Sequence, residues 1–123
     1  MGKRYQRRVS ELVHVRLSDL LEHKSKDPRL AMVTITDVEV TPDATRANVY
    51  FSVLGGEEAR NEALEGLRSA AGWLRRELGQ QLRLRHIPEL VFRYDRSVER
   101  GERISAILDE LGLGDEEVDA ETG

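Results

Sequence analysis

Residues 46–53 alternate without a lapse. Ala47, Val49, Phe51 and Val53 point one way, and Arg46, Asn48, Tyr50 and Ser52 point the other. A period of two marks a strand with one buried and one wet face. Such a strand needs partner strands and a layer that covers its apolar side. The preceding residues, 31–40, read as its hairpin partner. By strict alternation Val33 and Ile35 share one face there, while Val38 and Val40 share the other. That phase switch near Thr36-Asp37 predicts a bulge. Pro42-Asp43 supplies the turn between the two strands.

Helical periods flank this hairpin. In residues 5–23, Val9, Leu12, Val13, Leu17, Leu20 and Leu21 form one apolar stripe, and Asp27-Pro28 ends the run. After Gly55-Gly56, residues 57–70 carry Ala59, Ala63, Leu64, Leu67 and Ala70 inward, with Glu57 and Glu58 favourably placed at the start. A second helical stretch, 72–84, carries Leu74, Leu78 and Leu82, and Pro88 closes it. Residues 90–94 read as a third strand and 97–111 as a closing helix with Val98, Ile104, Ile107, Leu108 and Leu111. The order is α-β-β-α-α-β. The expected fold is α+β, a three-stranded sheet with helices on one face.

Charge is unevenly spread. From Asp109 onward there are seven acids and no base; the remaining 16 acids face 19 Lys and Arg, a net of +3 over residues 1–108. The folded part is thus mildly basic, although the whole chain carries −4. We expect one domain over residues 1–111 and an acidic, disordered tail over 112–123. Aromatic residues are 5% of the chain, too few for a broad base-stacking platform. There is no cysteine, which removes disulfides, thiolate nucleophiles and Cys-based zinc sites. No apolar run approaches membrane-spanning length, and Met1-Gly2-Lys3-Arg4 is not followed by the apolar stretch of a signal peptide. A cytoplasmic protein, monomeric when free, is expected.

Catalytic constellations are missing. His14, His23 and His86 lie in no ligand spacing, and there is no P-loop, GxGxxG or GxSxG. Asp95 and Glu99 are acids near a strand end, an arrangement common on solvated surfaces. No catalytic residue, metal, cofactor or small-molecule substrate is assigned.

The basic residues say more. Lys3, Arg4, Arg7 and Arg8 crowd the start of the first helix. Arg68, Arg75, Arg83 and Arg85 would share one side of an uninterrupted helix, with Arg76 close by and Leu67, Ala71, Leu74, Leu78 and Leu82 on the adjoining side. An arginine ridge beside a leucine seam suits phosphate contact; a plain solvated face is the competing reading. Within it, Ser69-Ala70-Ala71-Gly72 suggests a kink that lets another backbone approach. A phosphate could then sit on the amides opening the second stretch; tight helix packing is the simpler use of such small residues. Trp73 is expected to be at least partly buried.

These features together resemble a known family. The element order resembles a type II KH domain. Asp27-Pro28-Arg29-Leu30, Val33-Thr34-Ile35-Thr36-Asp37-Val38, Val49-Tyr50-Phe51-Ser52-Val53-Leu54-Gly55, Ser69-Ala70-Ala71-Gly72, Leu82-Arg83-Leu84-Arg85 and Pro88-Glu89-Leu90 resemble, in order, the ribosome-binding factor A family. The likeness covers about residues 3–111. It implies that Ala70-Ala71-Gly72 is the kink replacing the GxxG loop of other KH domains, a motif this chain lacks. Losing the first glycine restricts the loop that would lie along a phosphate. The resemblance further implies a cofactor-free factor that binds the immature 30S subunit and 16S rRNA, supports late maturation of the rRNA 5′ end, and is linked to growth in the cold. A general KH module for messenger or small RNAs and a hydrolase using Asp95 or Glu99 are the alternatives.

Overall fold

The computed structural model describes residues 3–97. The expected closing helix after Ser97, the domain limit at 111 and the acidic tail lie outside the described residues. The elements are α1 (Lys3–His23), a short 3-10 turn (Pro28–Leu30), β1 (Val33–Val40), β2 (Arg46–Val53), α2 (Glu57–Gln81) and β3 (Glu89–Tyr94).

The sheet has the order β1-β2-β3. β1 and β2 are antiparallel, whereas β2 and β3 are parallel. A parallel pair needs a crossover, and α2 supplies it. The predicted bulge is present, because the register shifts between Ile35 and Asp37. Thr36 is the extra residue, and it returns Val38 and Val40 to the face of Ile35. All three are buried at 5% exposure or less. Ala47, Val49 and Phe51 of β2 and Leu90 and Phe92 of β3 complete that face.

α1 covers the sheet with Val9, Val13, Leu17, Leu20 and Leu21; Leu12, expected in the same stripe, stays 37% exposed. α1 also satisfies the end of the edge strand. Gln6 Nε2 donates to the Val40 carbonyl at 2.6 Å, and the Val40 N–H donates to Ser10 Oγ at 3.0 Å. Two backbone groups that an edge would leave to solvent are thereby paired.

α2 differs from the expectation. The stretches 57–70 and 72–84 are one helix that ends at Gln81, not two separated by a break. Leu82 is already extended, although its N–H still donates to the Leu78 carbonyl at 2.8 Å. The close approach falls at Gly66 rather than Gly72. A Cβ on Gly66 would stand 3.1 Å from both Arg29 Cβ and Leu30 Cδ2, so the 3-10 turn packs where α2 has no side chain. Asp27 holds that turn in place. Its Oδ1 accepts from the Arg29 N–H at 2.9 Å, and its Oδ2 lies 2.7 Å from Arg29 Nη2.

Candidate nucleic-acid interface

The chemistry-bearing residues lie on three segments. The first turns of α1 expose Lys3, Arg4, Arg7 and Arg8 and contain no acid. Cations at a helix N-terminus oppose the macrodipole, at roughly 0.3–1 kcal/mol each. A local choice that works against the helix points to a demand from outside it. Burial of five α1 side chains holds the helix regardless.

α2 exposes Arg68, Ser69, Gly72, Arg75 and Arg76. At 100° per residue these share one sector of the helix, and Gly72 lies among the arginines. Ala70, Ala71 and Trp73 are half-buried and packed against the core. The expected phosphate seat on amides opening a second helix is absent, since these residues are interior to α2. Gly72 is also not a packing glycine: a Cβ there would meet only Arg76 Nη1, at an ordinary 3.8 Å.

Arg83 and Arg85 are exposed on the connector between α2 and β3. They therefore do not continue the helical ridge, because the helix stops before them. The fold restores the connection by another route. Arg75 Nη2 donates to the Ile87 carbonyl at 2.9 Å, tying α2 to the connector. On its other side the connector meets α1. Tyr5, Val9, Leu84, Arg85, His86 and the turn residues Asp43 and Ala44 line a cavity of about 440 Å³. The α1 turns that carry Arg4, Arg7 and Arg8 and the connector that carries Arg85 thus border one space.

The acids of α2 do not neutralise this surface. Glu77 lies 3.8 Å from Lys24, and Glu65 lies 3.7 Å from Arg29. Among the described residues, Lys3, Arg4, Arg7, Arg8, Arg68, Arg76, Arg83 and Arg85 make no ion pair within 4.0 Å. Sequence spacing missed Tyr5 and His86, which reach the site only because α1 and the connector meet in space.

The acids considered for catalysis are divided. Glu99 lies outside the described residues. Asp95 is engaged in holding the sheet, as Thr36 Oγ1 donates to its Oδ2 at 2.6 Å and the Ser97 N–H to its Oδ1 at 2.9 Å. His14 Nε2 sits 3.0 Å from the Ile35 carbonyl, and His23 Nδ1 lies 2.9 Å from Asp19. Asp43 Oδ1 accepts from both Thr45 and Thr41, which holds its carboxyl below the usual carboxylate range. No helix among the described residues is long and apolar enough to cross a membrane.

Comparison with known proteins gives a consistent result. The family model for ribosome-binding factor A matches residues 5–108. A ribosome-binding factor A from Azoarcus sp. (strain BH72) is 48% identical over 118 residues, covering 94% of each chain. One from Geotalea daltonii is 48% identical over 105 residues, covering 85% of each. Among solved structures, a ribosome-binding factor A from Thermotoga maritima, described as putative, superposes with a TM-score of 0.58 at 35% identity, over 77% of this chain and 87% of that one. A Thermus thermophilus homology model fitted into a map of a complex between the 30S subunit and ribosome-binding factor A gives a TM-score of 0.53 at 28% identity, over 69% of this chain and 93% of that one.

Proposed function

The chain belongs to the ribosome-binding factor A family, and on that premise we propose that it is a non-catalytic assembly factor for the small ribosomal subunit. It binds the immature 30S particle in the cytoplasm, contacts 16S rRNA and supports late maturation of the rRNA 5′ end. Residues 1–111 form the binding unit, and the acidic tail over 112–123 lies outside it. The factor works as a monomer, without cofactor or small-molecule substrate. It makes and breaks no bond: it binds one rRNA conformation more tightly than another and so shifts their populations.

One observation carries the RNA contact. Gly72 lies exposed in the middle of α2 among Arg68, Arg75 and Arg76, with room for a side chain it does not have. A mid-helix glycine costs about 1 kcal/mol relative to alanine. Packing does not require this one, and its bare backbone leaves room for a ligand backbone to approach. The arginines around it are the groups that would hold phosphates. Arg83, Arg85 and the α1 cluster of Lys3, Arg4, Arg7 and Arg8 widen the same basic surface.

Sedimentation tests the reading. Tagged protein should travel with free small subunits and be depleted from translating ribosomes. Equal association with every ribosomal fraction would overturn it.

A further inference from the structure

We propose that the cavity between α1, the β1–β2 turn and the connector from α2 to β3 receives one unstacked base of single-stranded RNA, with Tyr5 as its stacking partner. This role deepens the RNA-binding function proposed above and rests on it. Three segments far apart in sequence build the walls, and hydrogen bonds tie each one down. Gln6 Nε2 donates to the Val40 carbonyl at 2.6 Å, which fixes the first turn of α1, and Tyr5 with it, beside the end of β1. The Ala44 N–H donates to the Thr41 carbonyl at 2.8 Å and the Thr41 N–H to the Arg46 carbonyl at 2.8 Å, which closes the turn. The Glu89 N–H donates to the Thr45 carbonyl at 2.9 Å, which brings the connector to that turn. A pocket shaped beforehand loses less entropy when a ligand arrives.

The lining suits a base in size and polarity. Its volume, about 440 Å³, falls within the roughly 300–1,000 Å³ of small-molecule pockets. Val9, Ala44 and Leu84 give apolar walls, and Tyr5 adds an aromatic ring that is 39% exposed. Every base has a face that stacks on such a ring. The chain is too poor in aromatics for a platform, but one base needs only one ring. Ala44 holds φ at 60°, the one positive φ outside glycine among the described residues. A left-handed alanine is strained, and such strain gathers at ligand sites. The charges of the lining are divided. Asp43, its one acid, is engaged on the turn, where Oδ1 accepts from the Thr41 and Thr45 hydroxyls, each at 2.8 Å. Arg85 and His86 stand exposed on the connector side. A nucleotide can therefore set its phosphate by Arg85 and its base against Tyr5. Arg83 on the connector and Arg4 and Arg8 on α1 flank the cavity, so a strand gains contacts that a free nucleotide cannot, which favours RNA as the occupant.

The test uses the full chain with labelled tyrosine rings, a short single-stranded RNA, an abasic strand of equal length and a nucleoside monophosphate at matched nucleotide concentration. RNA should shift the ring resonances of Tyr5 but not those of Tyr50 and Tyr94, which lie outside the lining. The abasic strand and the monophosphate should leave Tyr5 unshifted. Tyr5→Ala, checked by its melting curve, should weaken RNA binding about tenfold. Its salt slope should stay that of the wild type, because stacking releases no counterions. Tyr5→Phe keeps the ring and should bind RNA as the wild type does. Equal Tyr5 shifts with the abasic strand would show a backbone contact, and equal shifts with the monophosphate a free-nucleotide pocket; either would overturn the proposal. A shift with rRNA-free ribosomal protein and none with RNA would give the cavity to a protein partner and overturn it as well. An unshifted Tyr5 and a Tyr5→Ala affinity like the wild type, with binding still lost on removing Arg75 and Arg83, would overturn it while leaving the main reading intact. A wild-type protein that binds neither RNA nor small subunits would overturn both.

Discussion

Arg75 Nη2 donates to the Ile87 carbonyl at 2.9 Å, so a side chain of the proposed phosphate-contacting face also fixes the segment that displays Arg83 and Arg85. Arg75 and Arg83 should therefore act together. Arg83→Ala should weaken 30S binding and reduce the salt slope by about one contact. Arg75→Ala should cost more, because it also frees the connector. A double-mutant cycle should show a coupling of about 0.5–3 kcal/mol. Strict additivity in binding titrations would mean that the Arg75–Ile87 bond does not position Arg83.

Gly66 and Gly72 should respond oppositely to alanine. At Gly66 the new methyl meets Arg29 and Leu30 at 3.1 Å, so Gly66→Ala should destabilise by about 1–3 kcal/mol. Gly72→Ala has open space and should stabilise by about 0.5–1 kcal/mol through helix propensity. Its subunit binding should nevertheless fall, because the methyl stands where the ligand approaches. Thermal melts read the first effect and subunit binding the second. A Gly72→Ala variant that binds as wild type would remove the functional account of that glycine.

The Asp27 carboxyl is held below its ordinary value of 3.8, first by the hydrogen bond from the Arg29 side chain and then by that from the Arg29 N–H. A carboxylate with a depressed folded-state pKa stabilises the fold fully above the unfolded value. That contribution disappears as pH falls through the lower, folded value. Denaturant unfolding should therefore show this part of the stability constant at neutral pH and lost only below about pH 4. Asp27→Asn should flatten the acid limb of the profile. An identical acid limb in the variant would show that the Asp27–Arg29 pair contributes nothing to it.

Asp95 should prove a structural residue. Asp95→Ala loses the Thr36 Oγ1 and Ser97 N–H partners and should destabilise by about 1–3 kcal/mol. Thr36 is the bulge residue, so the damage should appear first in hydrogen exchange of β1 near Ile35 and Asp37. Wild-type exchange there would show that the contact does not hold the bulge.

The strand pattern was legible because period two is unforgiving. Val33 and Ile35 against Val38 and Val40 can share one core only if a residue is inserted, and Thr36 is that residue. The end of α2 was not legible. Leu74, Leu78 and Leu82 keep a spacing of four, and Leu82 is buried like the others, but it does so from an extended backbone. Periodicity records which side chains are buried, not the conformation that buries them. The helix also lacks a glycine at its end, and Gly79 lies inside it. The same limit hid Arg83 and Arg85 on the connector. Small residues at 69–72 pointed to close packing, yet the close approach is at Gly66, because only the path of the chain brings Arg29 there. The cavity that joins Tyr5 to Arg85 depends on contacts between elements far apart in sequence, which no local pattern encodes.

The central claim is tested most directly by crosslinking the protein to rRNA in purified immature small subunits and locating both partners of each crosslink. The account expects protein-side crosslinks at Arg68–Arg76 and Arg83–Arg85, with a further group at the start of α1. Crosslinks concentrated instead on the outer sheet face, around Glu39, Asn48 and Tyr50, would contradict it.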